Sequence, residues 1–132
     1  MDNVSKIISL KAVCKIGIIT ALCIALIITL IVVYTNNRWK HELDVVYVGY
    51  DDGVYEYTIT NKTNRTLKGV TIEFKVDNTA LRDFMVNDRV GTLHIGETQT
   101  IKLYTNRIEK EAEERDIGVH WYEVDIFRIT YE

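Results

Sequence analysis

The side chains that could do covalent chemistry are crowded into one end of this 132-residue chain. Ser5, Ser9, Cys14 and Cys23 all lie near the N-terminus, and from Arg38 onward there is neither Ser nor Cys. That part lacks the attacking atom of serine and cysteine hydrolases and of cysteine-dependent transpeptidases. Its histidines, His41, His94 and His120, match no zinc-ligand spacing and read as surface or interface side chains. Carboxylates are plentiful, but a glycosidase needs two of them about 5 to 9.5 Å apart across a cleft, which a small sandwich rarely has. There is no glycine-rich phosphate loop. The expectation is a chain with no catalysis, no cofactor and no metal.

Some clusters invite a binding reading. Asp51, Asp52, Asp83 and Asp88 fall in expected loops and could meet around Ca²⁺, but they lack EF-hand spacing and Asp is an ordinary turn residue. Glu109, Glu111, Glu113 and Glu114 read most simply as the solvated face of a helix, with an acidic docking surface as the alternative. Asn61-Lys62-Thr63 and Asn64-Arg65-Thr66 fit the glycosylation acceptor pattern, and in a polar loop we read them as turn composition. Of the 19 acidic residues only Asp2, and of the 16 basic ones only Lys6, Lys11 and Lys15, precede Arg38. The remainder is mildly acidic and has no basic footprint for nucleic acid.

What must position these groups begins with an uncharged run, Ile16 to Tyr34. Nineteen residues at 1.5 Å each make about 28 Å of helix, close to the roughly 30 Å hydrocarbon core of a bilayer. Twelve of them are Ile, Leu or Val. As a buried helix of a soluble fold it would need a core on every side, which the rest of the chain cannot supply as well as its own. Bulky Val32, Val33 and Tyr34 stand where signal peptidase requires small residues, and Leu22 before Cys23 spoils a lipobox, so an uncleaved anchor is expected. Tyr34 and Trp39 are expected as aromatic rings at the membrane interface. Lys6, Lys11, Lys15 and the α-amino group before the span, against Arg38 and Lys40 after it, place the N-terminus in the cytoplasm. Gly17, Ala21, Ala25 and Thr29 recur every four residues and form a stripe of small side chains that could pack against a second helix.

Beyond the span, period-two patterning takes over. Strands are expected over 45–49, 54–60, 70–76, 90–95 and 98–104, with Asp51-Asp52-Gly53 and Gly96-Glu97 as turns and 61–66 as a polar loop. The clearest alternation sets Val70, Ile72, Phe74 and Val76 inward and Thr71, Glu73, Lys75 and Asp77 outward. Residues 78–89 read as irregular, with one turn of helix near Leu81 to Phe84. Asn106 with Glu109 resembles a capping box for a helix over 107–115, stopped by Gly118. A closing strand over 119–131, bulged, offers Trp121, Val124, Ile126, Phe127 and Ile129 to the core. The spacing of strands and turns predicts an all-β, immunoglobulin-like sandwich behind one N-terminal transmembrane helix. Residues 1–15 form a short cytoplasmic segment, 16–34 the span, 35–42 a juxtamembrane linker and 43–132 the extracytoplasmic domain.

The run Tyr57 to Asn61, followed by Leu67-Lys68-Gly69-Val70-Thr71-Ile72 and then Leu93-His94-Ile95-Gly96-Glu97-Thr98, resembles part of the FxLYD-type domains of bacterial surface proteins. There a strand ending in Asn leads through a polar loop to a Leu-x-x-Val-x-Ile strand, and a Leu-x-Pro-Gly-Glu-Thr turn follows. Ile95 stands in place of that Pro. The resemblance covers about half of the part beyond the span and implies a small immunoglobulin-like accessory or interaction module without chemistry of its own. The functional expectation is a membrane-anchored module that engages another envelope protein, or itself through the transmembrane helix. The alternative is a sensor of cell-wall glycan or a small ligand, with Tyr47, Tyr50, Tyr55 and Trp121 stacking on it.

Overall fold

The computed structural model describes residues 2–78 and 82–132. Two compact units result, Met1–Asn36 and Asn37–Glu132. The first is helix α1 (Asp2–Asn37), of which Ser9–Asn37 is long and apolar enough to cross a membrane. Its hydroxyls bond back one turn, Thr20 Oγ1 to the carbonyl of Ile16 and Thr29 Oγ1 to that of Ala25, both at 2.8 Å. This is how a threonine hides its polarity within an apolar helix.

The second unit opens with a short helix, α2 (Trp39–Glu42), and continues through β1 (Leu43–Asp51), β2 (Val54–Asn61), β3 (Leu67–Asn78), β4 (Phe84–Leu93), β5 (Thr98–Tyr104), α3 (Thr105–Glu114) and β6 (Tyr122–Thr130). The strands make two three-stranded antiparallel sheets, β1-β2-β5 and β4-β3-β6, which share one apolar core as a β-sandwich. Tight turns explain the antiparallel order. Asp52 and Gly53 both have positive φ, 45° and 76°, the pair of left-handed residues that a two-residue hairpin turn requires. A side chain on Gly53 would also press on Thr105, whose N–H donates to the Gly53 carbonyl.

The central strand β3 behaves as its alternation predicts: Val70, Ile72, Phe74 and Val76 are fully buried. On β6, Arg128 pairs with Glu73 and Ile126 with Phe74, so Phe127 is an extra residue in the ladder. The bulge resets the pleat, and Val124 and Ile129, five residues apart, both face the core. Phe127 is thereby turned out to solvent, contrary to its expected core position. Trp121 is 75% exposed and lies just before the strand, so it too is no core residue.

Three further expectations are corrected. Residues 84–89 are strand, with Phe84 opening β4, and Leu81 lies outside the described residues. The break in apolar alternation at Asn87-Asp88-Arg89 concealed it, and Asp88 is tied instead to Arg107 of α3 at 2.9 Å. Helix α3 starts at Thr105 with no side-chain cap, because its first N–H is taken by the Gly53 carbonyl. It ends at Glu114, and just beyond it Asp116 adopts φ 54° while the Ile117 N–H closes on the Ala112 carbonyl, so Gly118 is not the stop.

Candidate binding site at the open side of the sandwich

Four strands lie at sheet edges, and the sequence treats them differently. Edge β4 is covered by α3: Arg115 Nη1 donates to the Met85 carbonyl at 2.8 Å, and Arg107 donates to that of Asn87. Edge β5 carries Lys102, paired with Glu56 at 3.6 Å, and edge β6 carries Glu123, Asp125, Arg128 and the Phe127 bulge. Charges, bulges and covering elements are the usual means of keeping an edge from pairing with another chain. Edge β1 has the least of these. Between Asp44 and Asp51 it reads Val-Val-Tyr-Val-Gly-Tyr, and Val46, Tyr47, Val48 and Tyr50 are each about half exposed. Its one irregularity is a bulge at Val48, leaving 43–47 in regular register with β2.

Beside this edge the two sheets part, and tyrosines fill the gap. A cleft of about 300 Å³ is lined by Tyr47 of β1, Tyr55 and Tyr57 of β2, and Tyr122, Glu123 and Asp125 of β6. The rings pack in two runs, Tyr47 on Tyr57 at 5.1 Å, and Tyr50 on Tyr55 at 4.7 Å continuing to Tyr122 at 6.4 Å between centroids, all tilted. Such spacing is that of favourable aromatic pairs. Tyr57 is the floor: it is buried, packs on Phe74 and donates its hydroxyl to the Val124 carbonyl at 3.0 Å, which ties the two sheets together. Burial, then the Asp125 charge, drives its phenol well above the ordinary range. Tyr122 is pushed up to about 12, by burial first and then by Tyr55 and Glu109. Tyr55 rises through burial first, then Tyr50, Tyr47 and Glu123. Tyr55, Tyr57 and Tyr122 therefore present neutral rings to ligands at any ordinary pH.

Asn61 closes β2 with a fully satisfied polar knot. Its Nδ2 donates to the carbonyls of Arg65, Leu93 and His94 at 2.8, 3.1 and 3.1 Å, and its Oδ1 accepts from the Thr63 N–H and hydroxyl. That occupancy leaves Asn61 no role as a glycosylation acceptor. The four aspartates weighed for Ca²⁺ are not brought together. Asp83 is held by Lys75 at 3.1 Å and Asp88 by Arg107, while Asp51 and Asp52 belong to the β1–β2 turn.

Gly17, Ala21, Ala25 and Thr29 stand exposed along α1, as does Tyr34. Trp39 is only 9% exposed and belongs to the core of the second unit, which takes in the segment expected as a linker from Asn37 onward. Tyr47 and Tyr55 were legible as aromatics near the expected first hairpin. Tyr122 and the two carboxylates were not, because only the meeting of β6 with β2 brings them there. No family model, curated protein or solved structure matches the chain.

Proposed function

We propose that this is a single-span membrane protein, N-terminus in the cytoplasm, whose β-sandwich is an immunoglobulin-like extracytoplasmic module that engages another envelope protein and performs no catalysis. The observation that carries this reading is edge β1: nine residues long, uncharged from Val45 to Tyr50, and half exposed while two of the other three edges carry charge and the third is covered. A partner strand laid along it would gain main-chain hydrogen bonds, with Val46 supplying apolar contact on the outer face. The resemblance to FxLYD-type domains points the same way. Self-association through Gly17, Ala21, Ala25 and Thr29 is a further route by which the anchor itself could contribute. A second reading, ligand sensing, is favoured by the half-exposed Tyr47 and Tyr50 beside the cleft.

The test is site-specific photo-cross-linking in intact cells, with the photoreactive residue at Val46 or, as control, at Thr100 on the far edge strand. The reading predicts one dominant protein adduct from position 46, lost when Val45 is also replaced by Lys. Equal adducts from both positions, or none from position 46, would overturn it.

A further inference from the structure

We propose that the tyrosine cleft between β2 and β6 is a binding site for an alkylated ammonium ion. The inference rests on the ligand-sensing reading and not on strand addition at β1.

Three features converge. The first is shape: an open hollow of about 300 Å³ with aromatic rings from three strands on its walls and a buried Tyr57 at its base. The second is the chemistry of those walls. Aromatic faces carry negative quadrupole density and attract cations that shed water easily, quaternary ammonium above all. The third is charge. Glu123 and Asp125 stand on the rim, and no cationic side chain lines the cleft. The cation nearest in register, Lys75 opposite Asp125, is already held by Asp77 at 3.4 Å and Asp83 at 3.1 Å. Arg128, further along β6, is held by Glu73 at 2.8 Å. The negative field at the cleft is thus left for a ligand.

The competing occupants fit less well. A hard metal ion wants six or more oxygen ligands, and two rim carboxylates fall far short. A neutral sugar would stack on the rings but gain nothing from the two carboxylates. The larger hollow near the β1–β2 turn, about 420 Å³, has Tyr50 and Tyr104 with Asp51, Asp52 and Glu56, but the Lys102 ammonium lines it as well, and both of its rings are about half exposed with none buried at its base.

The experiment uses the full chain in an uncharged maltoside detergent, because choline-headed detergents would compete. Choline is titrated against its neutral isostere 3,3-dimethylbutanol at constant ionic strength, with binding read from saturation transfer to the ligand methyl protons and from calorimetry. The expected result is choline binding at least about fivefold tighter than the isostere, the scale of one to two cation–π contacts. Tyr47→Ala and Asp125→Asn should each weaken choline at least about threefold, and Tyr104→Ala, outside the cleft, should not. Both altered side chains are exposed, and unchanged circular dichroism would show that the variants fold. Equal binding of choline and isostere, no saturable choline binding, or indifference to Asp125→Asn would overturn the proposal. Saturable binding of a neutral cell-wall oligosaccharide at Tyr47, without choline binding, would overturn the cation and leave ligand sensing standing.

Discussion

Two buried polar side chains, Asn61 and Asn78, hold the loops of the sandwich to its core. Asn78 donates to the Gly118 carbonyl at 2.7 Å and receives support at its N–H from Asp83. Asn61 does more, because the carbonyls of Leu93 and His94 come from a turn some thirty residues later. Truncating it would strand buried carbonyls, at about 1–3 kcal/mol for each group left unsatisfied. Asn61→Ala should therefore lower unfolding free energy by on the order of 3 kcal/mol, while Asn64→Ala, exposed in the same loop, should stay within about 0.5 kcal/mol. Denaturant titration of the full chain in detergent checks both. The sequence showed Asn61 at the end of a strand, yet nothing local marks it as buried: an asparagine in a turn and one plugged into a distant turn read alike. Trp39 teaches the same lesson. An aromatic just past an apolar run suits a headgroup layer or a protein core equally well, and only the packing of α2 on β1 and β6 shows the ring buried in the core.

At the scale of elements, α2 is held by the carboxylate of Glu42. Arg38 Nε donates to it at 2.9 Å, the Tyr131 hydroxyl at 2.6 Å, and Arg65 approaches at 3.7 Å. The Arg38 bond first, then Tyr131 and the neighbouring positive charges, outweigh partial burial and hold Glu42 below its ordinary pKa of 4.5. A depressed carboxyl stabilises the folded state above its unfolded pKa and loses that contribution as pH falls through the folded value. The domain should thus lose thermal stability as pH drops below about 4.5, and Glu42→Gln should be less stable at neutral pH with a smaller acid-dependent loss. Melting curves across that range test it; a Glu42→Gln variant with unchanged pH dependence would rule the contact out as the source. Strands with unbroken alternation, β3 above all, were legible because half-buried strands must alternate. The first half of β4, residues 84–89, was not, because Asp88 is neutralised by an arginine on another element, and α3's start was misplaced because its cap comes from a distant turn. The register of β6 was half legible: a bulge was expected, but which residue it would turn outward depends on pairing with β3.

At the scale of the whole molecule, the chain is one helix long and apolar enough to cross a membrane and one small sandwich. The open side of the sandwich gathers an unguarded edge and an aromatic cleft, a combination invisible in a linear reading because its parts come from β1, β2 and β6. Everything proposed for that side requires it to face outward from the cytoplasm. Nature has left a convenient probe, since Cys14 and Cys23 both lie in α1 and the sandwich has no thiol. The decisive measurement places a single cysteine at exposed Glu113, in a Cys14→Ala, Cys23→Ala background, and treats intact spheroplasts with a membrane-impermeant maleimide. Labelling before lysis, equal to that after lysis, is the predicted result. Labelling only after lysis would put the sandwich in the cytoplasm and contradict the account.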